Sequence, residues 1–130
     1  MNSASRKVAG FTLIELIVVM LIIAMLVSLA VPKYFGSVQK SKEAILKENL
    51  VLMRGALDKY YGDHGKYPDT LEDLVSHKYL RSVPRDPIAE SASTWIIIAP
   101  EGTDADKGNI FDVHSGAEGN ATDGSPYKEW

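Results

Sequence analysis

From Leu16 to Val31 every residue is apolar except Ser28, and Phe11, Leu13 and Ile14 extend the run towards the N-terminus. At about 1.5 Å per residue, roughly 20 helical residues span the ~30 Å hydrocarbon core of a bilayer, so the segment predicts a transmembrane helix. Arg6 and Lys7 precede it and are the only charges before Glu15, which places the N-terminus in the cytoplasm and the bulk of the chain outside. A secretory signal peptide removed whole is the competing explanation. It fits poorly, because such apolar regions usually run about 7 to 15 residues and Ala30-Val31-Pro32 makes a poor small-residue cleavage site.

With the apolar residues crowded into this stem, the remainder is one small polar domain of about 100 residues, too little for a multidomain enzyme. The whole chain carries 14 basic and 17 acidic side chains, net −3, and has no run of Lys or Arg longer than two, so it lacks the electrostatic footprint of a nucleic-acid binder. Cysteine is absent, which excludes disulfides, thiolate metal centres and thiol nucleophiles together. Outside the reducing cytoplasm, such a small domain must be held by its core, by a metal or by neighbouring subunits.

Glu15 is the informative residue of the stem. A carboxylate at the centre of a membrane helix costs on the order of 2.5 to 3.5 kcal/mol, less near an end, and normally implies a partner. Position alone leaves open a simple interfacial location. The string Lys7-Val8-Ala9-Gly10-Phe11-Thr12-Leu13-Ile14-Glu15-Leu16 resembles the class III signal of type IV pilins and type II secretion pseudopilins. The resemblance implies cleavage between Gly10 and Phe11 by a prepilin peptidase on the cytoplasmic side, and N-methylation of Phe11. It also implies that Glu15 pairs with the N-terminal ammonium of a neighbouring subunit in a filament. Each of those buried charges carries a desolvation penalty of several kcal/mol that a well-placed opposite charge offsets, so the pair acts as a register device for assembly.

Pro32 follows the apolar run and predicts a kink or a stop. Beyond it, Leu46, Leu50, Met53, Leu57, Tyr60 and Tyr61 recur at helical spacing among charged residues, which predicts an amphipathic helix over 33–61 and makes Pro32 a kink in one long helix. The organisation expected is a cleaved leader 1–10, an apolar stem 11–32 and a head 33–130. Gly62-Asp63-His64-Gly65 ends the long helix, and a short one is expected from Thr70 to about His77, with Asp69 as N-cap and Glu72 at the capping-box position. Thr94 to Ala99 and Asn109 to Val113 read as two strands joined by a charged turn, packed antiparallel against the stem, with Ser125 to Trp130 as a third edge. The fold class is therefore α+β. Gly65-Lys66-Tyr67-Pro68 and Val83-Pro84-Arg85-Asp86-Pro87 resemble the two turns that join stem to sheet in major pseudopilins, although Ile88-Ala89 stands where relatives often have Trp-Gly.

From Asp112 to Gly124 acidic and amide oxygens lie on a glycine-rich backbone. Calcium takes six to eight oxygens, and a flexible loop of this kind can supply them, but the same composition also makes ordinary turns. Resemblance to the calcium loop of major pseudopilins implies a site here, with Glu118 and Asp123 first, then Asn120 and carbonyls from Ser115 and Ala121. The loop is shorter than in relatives and lacks their adjacent aspartates. His64, His77 and His114 share no zinc spacing and no nucleophile motif accompanies them, so no enzyme is expected.

The resemblance implies a structural subunit in the bacterial inner membrane that polymerises with copies of itself into a periplasmic type II secretion filament. Its partners would be the prepilin peptidase, minor pseudopilins, an inner-membrane assembly platform and an ATPase, since the chain has no nucleotide motif of its own. A type IV pilin of a surface fibre and a membrane-tethered minor pilin that never polymerises are the alternatives.

Overall fold

A computed structural model of the chain describes residues 10–102 and 107–130, so Arg6, Lys7 and the middle of the charged turn lie outside the described residues. The elements are α1 (Leu13–His64), α2 (Leu71–Ser76), β1 (Ile96–Ile98), β2 (Asp112–His114) and a C-terminal 3-10 turn (Tyr127–Glu129). This is the expected α+β combination of one long helix and a small antiparallel sheet. Two compact units are distinct, Met1–Ser37 and Val38–Trp130.

In the first unit α1 runs on through Pro32, which removes one backbone donor without ending the helix. The large side chains from Leu16 to Val31 are 41–73% exposed. No protein core covers them, and α1 is long and apolar enough to cross a membrane.

In the second unit Leu46, Leu50, Met53, Leu57 and Tyr60 form the buried stripe of α1. Tyr61 departs from the expected stripe: one residue further turns about 100° round the helix, and its ring is 42% exposed, stacked on Tyr67 at 4.5 Å. The stripe continues upstream to Glu43, a buried carboxylate three residues before Leu46. Leu71 and Leu74 of α2, together with Leu80, Trp95, Ile110, Val113 and Tyr127, complete the core.

The cap of α2 lies one residue later than the sequence predicts. Thr70 is the N-cap, its hydroxyl accepting from the Asp73 amide while the Asp73 carboxylate accepts from the Asp69 and Thr70 amides. Thr70-x-x-Asp73 and Asp69-x-x-Glu72 are both capping boxes on paper, and the realised frame starts the helix at Leu71 with Leu71 and Leu74 in the core.

The sheet pairs Ile96 with His114, Ile97 with Val113 and Ile98 with Asp112. Contrary to the expectation that both strands pack on the helix, all three β1 residues are exposed, and burial comes from Trp95, Ile110 and Val113 instead. The expected third edge strand is absent among the described residues. Pro126 cannot donate to a ladder, and the chain after it turns so that the Tyr127 side chain reaches α1.

Gly116 marks a close approach of two backbones, since a Cβ there would lie 1.9 Å from the Thr94 carbonyl oxygen. Gly116→Ala is therefore expected to lower the melting temperature by about 5–10 °C, read by tryptophan fluorescence. Gly55→Ala in α1, where a Cβ meets nothing within 4 Å, should leave it unchanged or raise it slightly.

Candidate functional site

The N-terminal motif residues stand just ahead of α1. Gly10, Phe11 and Thr12 are outside the helix, and Phe11 is 87% exposed, so the Gly10–Phe11 bond lies in irregular, accessible backbone. A protease needs an extended chain at the bond it cuts, and the helix begins two residues later at Leu13. Thr12 and Glu15 form a reciprocal capping box: the Glu15 amide donates to Thr12 Oγ1 at 3.2 Å and the Thr12 amide to Glu15 Oε2 at 3.4 Å. Thr-x-x-Glu ahead of an apolar run is itself a sequence signature of a helix start. Phe11, Ile14, Glu15, Val18 and Val19 line one shallow apolar groove, with Glu15 its one carboxylate among the described residues.

The C-terminal segment is organised by two acidic side chains that sequence reasoning did not select. The Glu43 carboxylate accepts three hydrogen bonds at 2.8 Å, from the Thr122 amide, the Thr122 hydroxyl and the Tyr127 hydroxyl. Gln39 donates to Tyr127 Oη at 2.6 Å. Burial pushes the Glu43 carboxyl up, but the bonds from Thr122 and Tyr127 outweigh it and hold it below the usual range. Asp86 is fully buried; it accepts from Ser115 Oγ at 2.5 Å and from the Ile88 and Ala89 amides, tying the Pro-Arg-Asp-Pro turn to the start of the C-terminal loop. Arg54 adds a third tie from α1, with Nε 2.8 Å from Asp112 Oδ1 and Nη2 3.0 Å from the Val113 carbonyl.

Comparison with known proteins fits both ends of the chain. A family model described as the prokaryotic N-terminal methylation motif matches residues 5–31. The type II secretion system core protein G of Vibrio cholerae is 32% identical, with 88% of this chain and 84% of the relative covered. The chain belongs to the type II secretion system core protein G family. The protein of the same name from Klebsiella pneumoniae is 37% identical over 63% of this chain and 70% of its own length, and that from Dickeya chrysanthemi is 29% identical over 92% and 97%. No solved structure matches this pseudopilin significantly. As a member of the major pseudopilin family it is a structural subunit and not an enzyme.

In this pseudopilin the two carboxylates placed first for calcium, Glu118 and Asp123, each have a partner within the chain. Glu118 projects outward, its side chain 89% exposed, and Oε1 lies 2.9 Å from Lys128 Nζ. Asp123 Oδ1 accepts from the Ser125 amide at 2.9 Å and the Ser125 hydroxyl at 2.6 Å, closing a turn of its own loop. Those bonds, and behind them the Lys47 charge, hold the Asp123 carboxyl below its ordinary value. The Ser115 hydroxyl, though not its carbonyl, is taken by Asp86; the Ala121 carbonyl accepts from the Gly124 amide at 2.9 Å, and Asn120 bridges to Pro126 through its backbone. Among the described residues no three acidic or histidine side chains come together for a metal. Calcium requires six to eight convergent oxygens, usually with several carboxylates, and this donor set does not fit it.

Proposed function

We propose that this pseudopilin is the repeating subunit of a type II secretion filament, drawn from the inner membrane and held in register through its N-terminal helix. The observation that carries the reading is an unbroken helix whose first half is apolar and uncovered, with one carboxylate, Glu15, at its start. Apolar faces that lipid covers in the membrane are covered by neighbouring stems in the filament, so the transfer is close to neutral for the alkyl groups. Charge then decides register, because a subunit misplaced along the axis leaves Glu15 and a neighbouring ammonium unpaired.

The order of events follows from the chemistry. A prepilin peptidase cuts after Gly10 and the new Phe11 amine is methylated; the secondary ammonium keeps its positive charge at neutral pH. The N-terminus faces the cytoplasm and the head the periplasm, in keeping with the positive-inside rule. An ATPase, an inner-membrane platform and minor pseudopilins supply the work and the starting point.

Two readouts test this. Co-expression with a prepilin peptidase should shorten the chain by residues 1–10 and add one methyl group at Phe11, seen by mass spectrometry. A photo-crosslinking residue at Val19, in the groove beside Glu15, should then yield a ladder of dimers, trimers and higher species. Processed protein that crosslinks only as a monomer would retire the polymer in favour of a tethered subunit.

A further inference from the structure

We propose that this chain closes its C-terminal loop without calcium, using the Glu43 carboxylate of the long helix as the anchor and the Lys128 ammonium as a countercharge. The loop from Ser115 to Trp130 is tied down by partners from this chain at several polar points. Glu43 takes the Thr122 amide, the Thr122 hydroxyl and the Tyr127 hydroxyl. Asp86 takes the Ser115 hydroxyl, whose oxygen in turn accepts from the Ala117 amide at 3.1 Å. The chain end is pinned by Trp130, which donates from Nε1 to Ser125 Oγ at 2.8 Å and lies under Lys47 Nζ at 4.6 Å from the ring centroid.

The two carboxylates that a divalent ion would need already have partners in this chain. Lys128 Nζ lies 2.9 Å from Glu118 Oε1, and Asp123 Oδ1 accepts from the Ser125 amide and hydroxyl. A calcium ion entering the loop would have to displace Lys128, unwind the Asp123–Ser125 turn and still gather four or more further oxygens. The function a metal performs in holding a short, cysteine-free segment is here met by a buried carboxylate with three donors, a strong arrangement because charge-assisted bonds in a dry site are worth about twice neutral ones. The inference is independent of filament assembly, since it concerns one subunit.

The test uses the full chain in detergent micelles. Both tryptophans, Trp95 and Trp130, lie in the Val38–Trp130 unit, so their fluorescence reports its melting alone. Melts are compared in millimolar calcium, in the same concentration of magnesium and in chelator, for the unaltered chain, Asp123→Ala, Thr122→Val and Glu43→Gln. The expected result is one melting temperature in all three solutions, lowered by several degrees in Thr122→Val and further in Glu43→Gln. Thr122→Val keeps the carboxylate, so it still reports if Glu43→Gln does not fold. A ligand at 100 times its dissociation constant raises the midpoint of a domain this size by roughly 10 °C or more. A calcium-specific rise of that size, lost in Asp123→Ala, would overturn the proposal, as would a Thr122→Val midpoint equal to that of the unaltered chain. Neither result bears on the crosslinked ladder, so failure here and failure of the filament reading are distinguishable.

Discussion

Glu15→Ala is expected to abolish the crosslinked ladder at Val19 while leaving cleavage after Gly10 intact. Each subunit contact in the proposed filament places one ammonium where only Glu15 can neutralise it, and removing one member of a buried ion pair typically costs about 3–5 kcal/mol. At 1.4 kcal/mol per factor of ten, that weakens each subunit contact by more than about a hundredfold, enough to end polymer growth at the concentrations a membrane supplies. The structure adds a second role that must be separated from the first, because Glu15 also caps its own helix through Thr12. A lost cap costs only about 0.5–2 kcal/mol. Glu15→Gln distinguishes the two: the amide oxygen can still accept from the Thr12 amide, yet the negative charge is gone. Pairing with the neighbour's ammonium predicts that Glu15→Gln fails to assemble like Glu15→Ala, whereas a Glu15→Gln ladder of normal length would leave capping as the residue's whole contribution. Thr12→Ala, which disrupts the cap and keeps the charge, is expected to shorten the ladder modestly at most.

The stem was legible because its signal is coarse. A run from Leu16 to Val31 broken only by Ser28 reads as an apolar helix too long for an ordinary signal peptide, and the motif around Gly10 and Glu15 is dense in specific positions. The head was legible in outline and wrong in detail where two local choices compete. Asp69 and Thr70 are both good caps, and only the core positions of Leu71 and Leu74 select between them. Ile96-Ile97-Ile98 carries no alternation, so nothing in the sequence says which face is buried; in the fold none of the three is. Glu43 is hard to find from sequence because charge reads as surface. Its spacing said otherwise, since it lies three residues before Leu46 on the same stripe as Leu50, Met53 and Leu57, with Gln39 four residues further back. A lone carboxylate in an apolar stripe predicts a buried acceptor in search of donors, but its donors, Thr122 and Tyr127, are about eighty residues away, a pairing no local pattern reveals. The calcium expectation rested on composition in the same way. Composition showed oxygens on a flexible backbone, while the partners that Glu118 and Asp123 find in Lys128 and Ser125 are facts of the folded chain.

Glu43→Ala is expected to be among the most destabilising single changes in the Val38–Trp130 unit. It leaves the Thr122 amide and the Tyr127 hydroxyl without their acceptor in a site where Glu43 is only 7% exposed, and it removes a charge-assisted cluster rather than one bond. Charged hydrogen bonds contribute about 1.5–3 kcal/mol each before mutual coupling, so a net loss of about 3 kcal/mol is a moderate expectation. For a domain of this size that is a fall of roughly 12 to 24 °C in melting temperature. A double-mutant cycle with Thr122→Val should show the two losses to be strongly non-additive, as residues sharing one network are. The pH dependence carries its own sign. Because the folded-state carboxyl of Glu43 lies below its unfolded value near 4.5, its contribution is complete above that value and is lost as pH falls through the lower folded-state value. The groups facing Glu43 are the Thr122 and Tyr127 donors and the nearby Asp123 carboxylate; Asp123 opposes the shift, and burial followed by Glu43 pushes the Tyr127 hydroxyl up and keeps it a donor throughout this range. Stability curves of the unaltered chain and of Glu43→Gln should therefore run parallel from neutral pH down to about 5 and converge below 4.5. Curves that stay parallel into strong acid would show that the carboxylate's charge is not what holds the C-terminal loop to the helix.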